Sequence, residues 1–265
     1  MSWIITGAQK NKGLLDEFTG AAAAYSLRDL TFLRGNPVVR VRRSSDSTEA
    51  DFTATEVSDG TLAAWVGAGN NGFVRTWYDQ SGNGRDATQT TTASQPQIVS
   101  NGSVLLKNLL PVVKFDSNDL LSATVSRTDT SIFLVGAANT VNSNFCIILG
   151  GNNGSGIGAR PTLRLYDSMS VFNANASDNT VVLGETLLAS SINHSGLSNL
   201  YKNSILVSSA AGAAVSRTAL ILGKENVTAF TPSESEIQEV VVYTANQSTN
   251  RAAIEANINA HYAIY

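Results

Sequence analysis

The sequence predicts a single all-β domain, a two-sheet β-sandwich with a short helix near each terminus. Three observations predict it. Short β-branched and aromatic runs recur along the whole chain, divided by Gly, Asn, Ser and Pro, which is the rhythm of a sandwich and not of a parallel βαβ sheet. Charged residues are only 15% of the 265 while the hydrophobic fraction is 43%, so a large core is available and the polar surface must come from Ser, Thr, Asn and Gln. No linker-like shift in composition divides the chain, and the Gly/Asn-rich stretches at residues 67–72 and 150–156 read as loop tips.

The elements follow in order. Residues 1–12 form an N-terminal arm whose apolar Trp3-Ile4-Ile5 either docks on a neighbouring subunit or completes the chain's own sheet; residues 13–265 form the sandwich. Residues 13–30 carry the one early helical signal, with Leu14, Leu15 and Phe18 on one face and Ala21 to Ala24 favouring helix. Strand patterns then dominate at residues 38–42, 73–78, 112–115, 131–135, 145–149 and 162–166. They continue at 180–183, 185–191, 198–202, 205–207, 219–223 and 237–243, with Asn203-Ser204 as a hairpin turn. The chain closes on a helix, where Ile254, Ile258 and Tyr262 repeat at four-residue spacing behind Ser248 or Thr249 as cap.

Charge and cysteine content exclude several classes. A net charge of −3 gives no general grip on nucleic acid. Arg40 and Arg42 share one face of a strand and read as solvated. The single Cys146, inside an apolar run, leaves no intrachain disulfide and no Cys/His metal cluster. The two histidines, His194 and His261, give a Ser-His-Asp site little material. The N-terminus lacks a signal-peptide pattern and no stretch is long and apolar enough to cross a membrane, so folding in a cytoplasm without membrane insertion is expected.

Several segments, taken together, resemble a known family. Tyr25-Ser26-Leu27-Arg28, the run from Val39 to Asp46, and above all Tyr78-Asp79-Gln80-Ser81-Gly82-Asn83-Gly84 resemble the start of concanavalin A-like (laminin-G-like lectin/glucanase) jelly-roll domains. Leu110 to Asp116, the Leu200-Tyr201-Lys202-Asn203-Ser204 hairpin and the Glu236–Tyr243 segment with Arg251 and Ile254-Glu255 continue the likeness to the end of the chain. Such domains occur in bacterial surface proteins, in phage virion proteins and as the catalytic domain of family-54 α-L-arabinofuranosidases. The resemblance implies a jelly roll; it leaves function open, because one fold hosts lectins, hydrolases and structural modules.

The arabinofuranosidase pattern implies an acid in an Asp-Asn pair after an Ile-Leu-Gly strand. Ile221-Leu222-Gly223 is followed here by Lys224-Glu225-Asn226, so Glu225 is a shortened match. The same pattern implies a nucleophilic Glu near residues 159–166, a stretch holding Arg160 and Arg164 but no carboxylate. A retaining glycosidase needs both groups. The expectation is therefore no enzyme, with Glu225 catalytic only if the hydrolase alternative holds, its partner then being Asp167, Asp178 or Glu185.

Asp79, Gln80, Asn83 and Trp77 are the candidate binding residues. The oxygens of Asp79, Gln80 and Asn83 could meet sugar hydroxyls or Ca²⁺, which oxygen-only ligands suit better than zinc, and Trp77 could stack on a sugar ring; no cofactor is required. The plainer reading is an Asx-type turn at Asp79 and a core position for Trp77. The reading as a whole is a non-catalytic virion protein of a bacteriophage, in the tail, baseplate or capsid decoration, assembled in the host cytoplasm. Its partners would be copies of itself, other virion proteins and host glycans. Two alternatives remain: a glycoside hydrolase related to α-L-arabinofuranosidases, or a bacterial cell-surface lectin.

Overall fold

The computed structural model describes residues 12–32, 35–116, 118–139, 146–151, 156–159, 163–166, 177–178, 182–211, 216–223 and 234–265. Two antiparallel layers face one another. The first runs Ile205–Ala211, Leu197–Lys202, Leu187–His194, Thr130–Ala138 and Ser235–Tyr243, flanked by Ala21–Ser26 and Val113–Phe115 side by side. The second runs Glu49–Thr53, Pro37–Arg43, Gly72–Trp77, Ala87–Thr88, Leu121–Arg127 and Arg217–Leu222. It continues through Cys146–Gly151, Gly156–Ala159, Leu163–Tyr166 and Ser177–Asp178. Gln97–Ser100 pairs with a strand of each layer, so hydrogen bonding turns the corner between them.

The sequence alternation explains the layering. In the closing strand Ser235–Tyr243, Ile237, Val240 and Val242 enter the core between the sheets, whereas Val241 and Tyr243 point to the outer side. Thr130–Ala138 does the same, with Ile132 and Leu134 inward and Phe133 and Val135 outward. A strand buried on both faces reads as a continuous apolar run, as residues 132–138 and 240–243 do. The outer side is covered by the terminal helix Arg251–Tyr262, which buries Ile254, Ile258 and Tyr262 against it. Each fully buried Ile contributes roughly 1.5–3 kcal/mol. The helix begins at Asn250, one or two residues after the expected cap.

Ala21–Ser26 is a strand, not a helix; the helix in this region is only Leu14–Glu17. The helix preference of four alanines is a few tenths of a kcal/mol per residue and yields to pairing with the closing strand, where small side chains fit fully buried between two layers. Val182 and Leu183 lie outside any strand, on a turn that leads to Leu187–His194. Asn203 and Ser204, at φ 49° and 68°, form the hairpin turn the sequence predicts, since two consecutive left-handed residues match the twist of the flanking strands. Gly223 ends the strand Arg217–Leu222 at φ 84°, and a Cβ there would lie 2.1 Å from the Phe115 ring, so only glycine lets the chain leave the sheet at this point.

Candidate functional site

The Asp79 loop leaves Gly72–Trp77 and folds back on the first strand. Asp79 Oδ1 accepts from the Ala24 and Ser81 amides at 2.9 Å each, and Oδ2 accepts from the Ser81 hydroxyl at 2.7 Å and the Arg85 amide at 3.0 Å. Gln80 accepts from the Leu30 amide at 2.8 Å and donates to the Ser26 and Arg28 carbonyls. Asn83 donates to the Ala21 and Ala22 carbonyls. Gly82 and Gly84 supply the positive φ the turn requires. These polar groups thus clamp the loop to Ala21–Ser26, at the edge where that strand's backbone would otherwise lack partners. Among the described residues no cluster of three or more His, Cys, Asp or Glu could hold a metal ion.

Replacing Asp79 by asparagine keeps the shape but turns one acceptor oxygen into a donor facing the Arg85 amide and Ser81 hydroxyl. We expect a loss of roughly 2–3 kcal/mol, the range for hydrogen bonds to a charged group together with a donor left unmet. Urea unfolding followed by fluorescence measures it. A midpoint unchanged from the wild type would refute the clamp.

Trp77 is completely buried and cannot stack on a ligand. It shares the core with Val74 because a register shift beside Arg40 and Val41 breaks simple alternation. Arg40 pairs with Asp51 at 2.7 Å, and Arg42 donates to Gln95 and lies over the Phe73 ring, so these cations are braced along the sheet. His194 does meet a serine and an aspartate: its Nε2 is 3.3 Å from Ser131 Oγ, and its Nδ1 is 3.5 Å from Asp129. Ser131 is fully buried, donates to the Ala245 carbonyl and accepts from the Gln247 amide, so the trio fastens the loop ahead of the terminal helix and offers no nucleophile.

Of the carboxylates expected for hydrolysis, Asp178 belongs to the second sheet. Register aligns Leu222 with Leu149, Leu149 with Ile157 and Ile157 with Leu165 in one row. At about 4.8 Å per strand the row spans roughly 14 Å. Glu225, three positions beyond Leu222, lies outside the described residues, as do Asp167, Arg160 and the Trp3 arm. Asp178 stands on Ser177–Asp178, its backbone opposite Leu163 in the strand where the resemblance expects a nucleophile. Glu185 is exposed on the turn before Leu187.

A cleft of about 420 Å³ opens elsewhere, between the terminal helix, the loop after Ala21–Ser26 and the helix Ala54–Ser58. Its floor is an ion pair: Glu239, fully buried, accepts from Arg28 Nε at 2.7 Å and Nη2 at 3.0 Å, and from the Ser26 and Tyr262 hydroxyls. Burial first, and then the Glu239 charge, push the Tyr262 phenol well above its ordinary value, so it stays protonated as a donor. Sequence reasoning reached Arg28 and Glu239 only as parts of longer resembling segments, because nothing local joins residues 211 positions apart.

No family model and no curated protein matches the sequence. Solved structures do match. A GH54 α-L-arabinofuranosidase soaked with a cyclic sulfate inhibitor superposes at a TM-score of 0.72, over 92% of this chain and 64% of that one, at 15% identity. An arabinofuranosidase complexed with arabinofuranosyl-α-1,2-xylobiose gives 0.71 with the same coverage and identity. A mutant Trypanosoma rangeli sialidase displaying trans-sialidase activity gives 0.51 over 71% of this chain and 31% of that one, at 10% identity. The fold is a concanavalin A-like jelly roll. This jelly roll spans 64% of the length of the arabinofuranosidases it matches. The expectation that the chain is no enzyme is corrected by these matches, all of them glycoside hydrolases. That expectation rests on one missing carboxylate at residues 159–166, whereas a catalytic pair can be drawn from any strands that face a common groove.

Proposed function

We propose that this chain is a glycoside hydrolase of the α-L-arabinofuranosidase type, with Glu225 as proton donor and Asp178 as the second carboxylate. The observation that carries the reading is the superposition of 92% of the chain on arabinofuranosidases, one of them holding an arabinofuranosyl-substituted xylobiose. Cleaving a glycosidic bond requires a protonated carboxyl at the leaving oxygen and a carboxylate that attacks the sugar or activates water. Glu225 is supported by its position after Ile221-Leu222-Gly223, a shortened match to the family's acid with Glu-Asn in place of Asp-Asn. Asp178 is supported by register, being the carboxylate on the strand next to Leu163–Tyr166. Asp167 and Glu185 are the other candidates for that role.

The test is hydrolysis by the purified chain of 4-nitrophenyl α-L-arabinofuranoside and of arabinofuranosyl-α-1,2-xylobiose. Release of 4-nitrophenol from the first and arabinose from the second is expected. Folded protein that releases neither, at micromolar concentration over a day, refutes the proposal. NMR of the first-formed sugar anomer reports the geometry of the carboxylates: retention requires a separation of about 5 Å, inversion a wider one.

A further inference from the structure

The cleft beside Arg28 does not include Asp178, which stands on the second sheet, and its chemistry is specific. Arg28 spends Nε and Nη2 on Glu239, and Nη2 also on Asn257 Oδ1 at 3.3 Å, which leaves Nη1 to a ligand. Asn257, held through its oxygen, keeps its amide N–H groups for the cleft. His261 lies one helical turn further on; burial first, and then the neighbouring Arg28 charge, lower its pKa, so the ring is neutral near pH 7 and offers one donor and one acceptor. On the facing wall Ser58 donates to the Ala54 and Thr55 carbonyls, which leaves its oxygen to accept.

Charge decides the class of ligand. Among the described residues the cleft carries Lys12 and Arg28 against Asp29 and the buried Glu239 beneath it, so the formal charges cancel. An anion finds no surplus cation, and a cation no surplus carboxylate. An apolar strip of Leu27, Ala54, Leu110 and Pro111 lies beside Thr31 and Thr55 on the remaining wall. Directed donors and acceptors around a small apolar surface suit a polyhydroxylated ring that presents hydroxyls at its edge and C–H groups on its face. The volume falls in the range of about 300–1,000 Å³ typical of small-molecule pockets.

We propose that this cleft is a second carbohydrate subsite, taking one or two neutral sugar rings apart from the hydrolytic centre. The choice of a sugar rests on the glycoside-hydrolase reading; the preference for a neutral, hydroxyl-bearing ligand rests on the cleft itself. Arg28, Asn257 and His261 read the hydroxyls, and the Glu239 ion pair holds the guanidinium in a fixed orientation, so little freedom is lost on binding.

The test is a titration of the full chain with xylobiose, L-arabinose and, as an anionic counter-probe, D-glucuronate, followed by NMR at the Asn257 side-chain amide and the His261 ring. Saturable shifts with xylobiose or arabinose are expected. Thr55→Trp, an exposed position on the rim, should weaken them about tenfold or more, as should Asn257→Ala, each variant keeping the wild-type spectrum elsewhere. Absence of shifts at both groups with either sugar overturns the proposal, and so does tighter, salt-sensitive binding of glucuronate. Hydrolysis of the aryl arabinofuranoside without cleft shifts overturns the subsite alone. Cleft shifts without hydrolysis uphold the subsite and remove the hydrolase reading.

Discussion

Glu239→Ala is expected to lower stability by about 3–5 kcal/mol, because it strands the Arg28 guanidinium in the protein without its counter-charge. The Arg28 side chain is only 17% exposed and the Glu239 side chain not at all. Burial opposes the Arg28 charge, yet the charge and hydrogen bonds of Glu239 outweigh it and raise the guanidinium pKa above its ordinary value. Removing Glu239 also takes the acceptor from the Ser26 hydroxyl and one acceptor from Tyr262, so the loss is not confined to one pair. For a chain of this size each kcal/mol moves the melting midpoint by roughly 2–4 °C, so a drop of about 10 °C in a calorimetric scan is the expected result. The double variant Arg28→Met/Glu239→Met should recover most of it, since an apolar pair removes the uncompensated charge. If the double variant is as unstable as Glu239→Ala, the loss comes from packing and not from charge. A single variant melting within 2 °C of wild type refutes the ion pair.

The ion pair marks where the sequence stops being legible. Alternating and continuous apolar runs locate most strands, because burial on one or both faces writes itself into the side-chain pattern. Asn203-Ser204 is readable as a turn because a two-residue hairpin needs left-handed residues, which Asn tolerates. Ala21 to Ala24 mislead, since their local preference is helical and the strand partner that overrides it lies at residues 239–243, near the other end of the chain. The Asp79 run stands out by composition, but its target does not: the acceptors and donors it meets on Ala21–Ser26 are about 60 residues upstream and belong to the backbone. Trp77 is core in spite of its alternation with Arg75 because of a register shift, and such shifts have no composition of their own. The cleft is assembled from five separate segments and leaves no local signature at all.

The largest effect on activity is expected at Glu225, and its dependence on the leaving group identifies the role. Glu225→Gln removes a proton donor, and general acid catalysis accounts for about 10²–10⁴ of a rate. The full loss should appear with arabinofuranosyl-α-1,2-xylobiose, whose leaving alcohol is a poor leaving group until protonated. With 4-nitrophenyl α-L-arabinofuranoside the departing phenolate is stable on its own, so the same variant should lose far less. Asp178→Asn makes the opposite test. A carboxylate that attacks the sugar or activates water is needed whatever departs, so its loss should slow both substrates by a similar factor. Equal losses on the two substrates for Glu225→Gln would remove it from the role of acid. Wild-type rates in Asp178→Asn would pass the second role to Asp167 or Glu185, each tested by its own amide variant. Ser177–Asp178 stands one strand beyond the row Leu222–Leu149–Ile157–Leu165, roughly 19 Å along the sheet from Leu222, so the pairing requires the segment that carries Glu225 to reach back over the sheet to one sugar ring. A chain in which Glu225 and Asp178 divide the work in this way has rebuilt, from a neighbouring strand, the carboxylate its relatives in fold are expected to carry at residues 159–166.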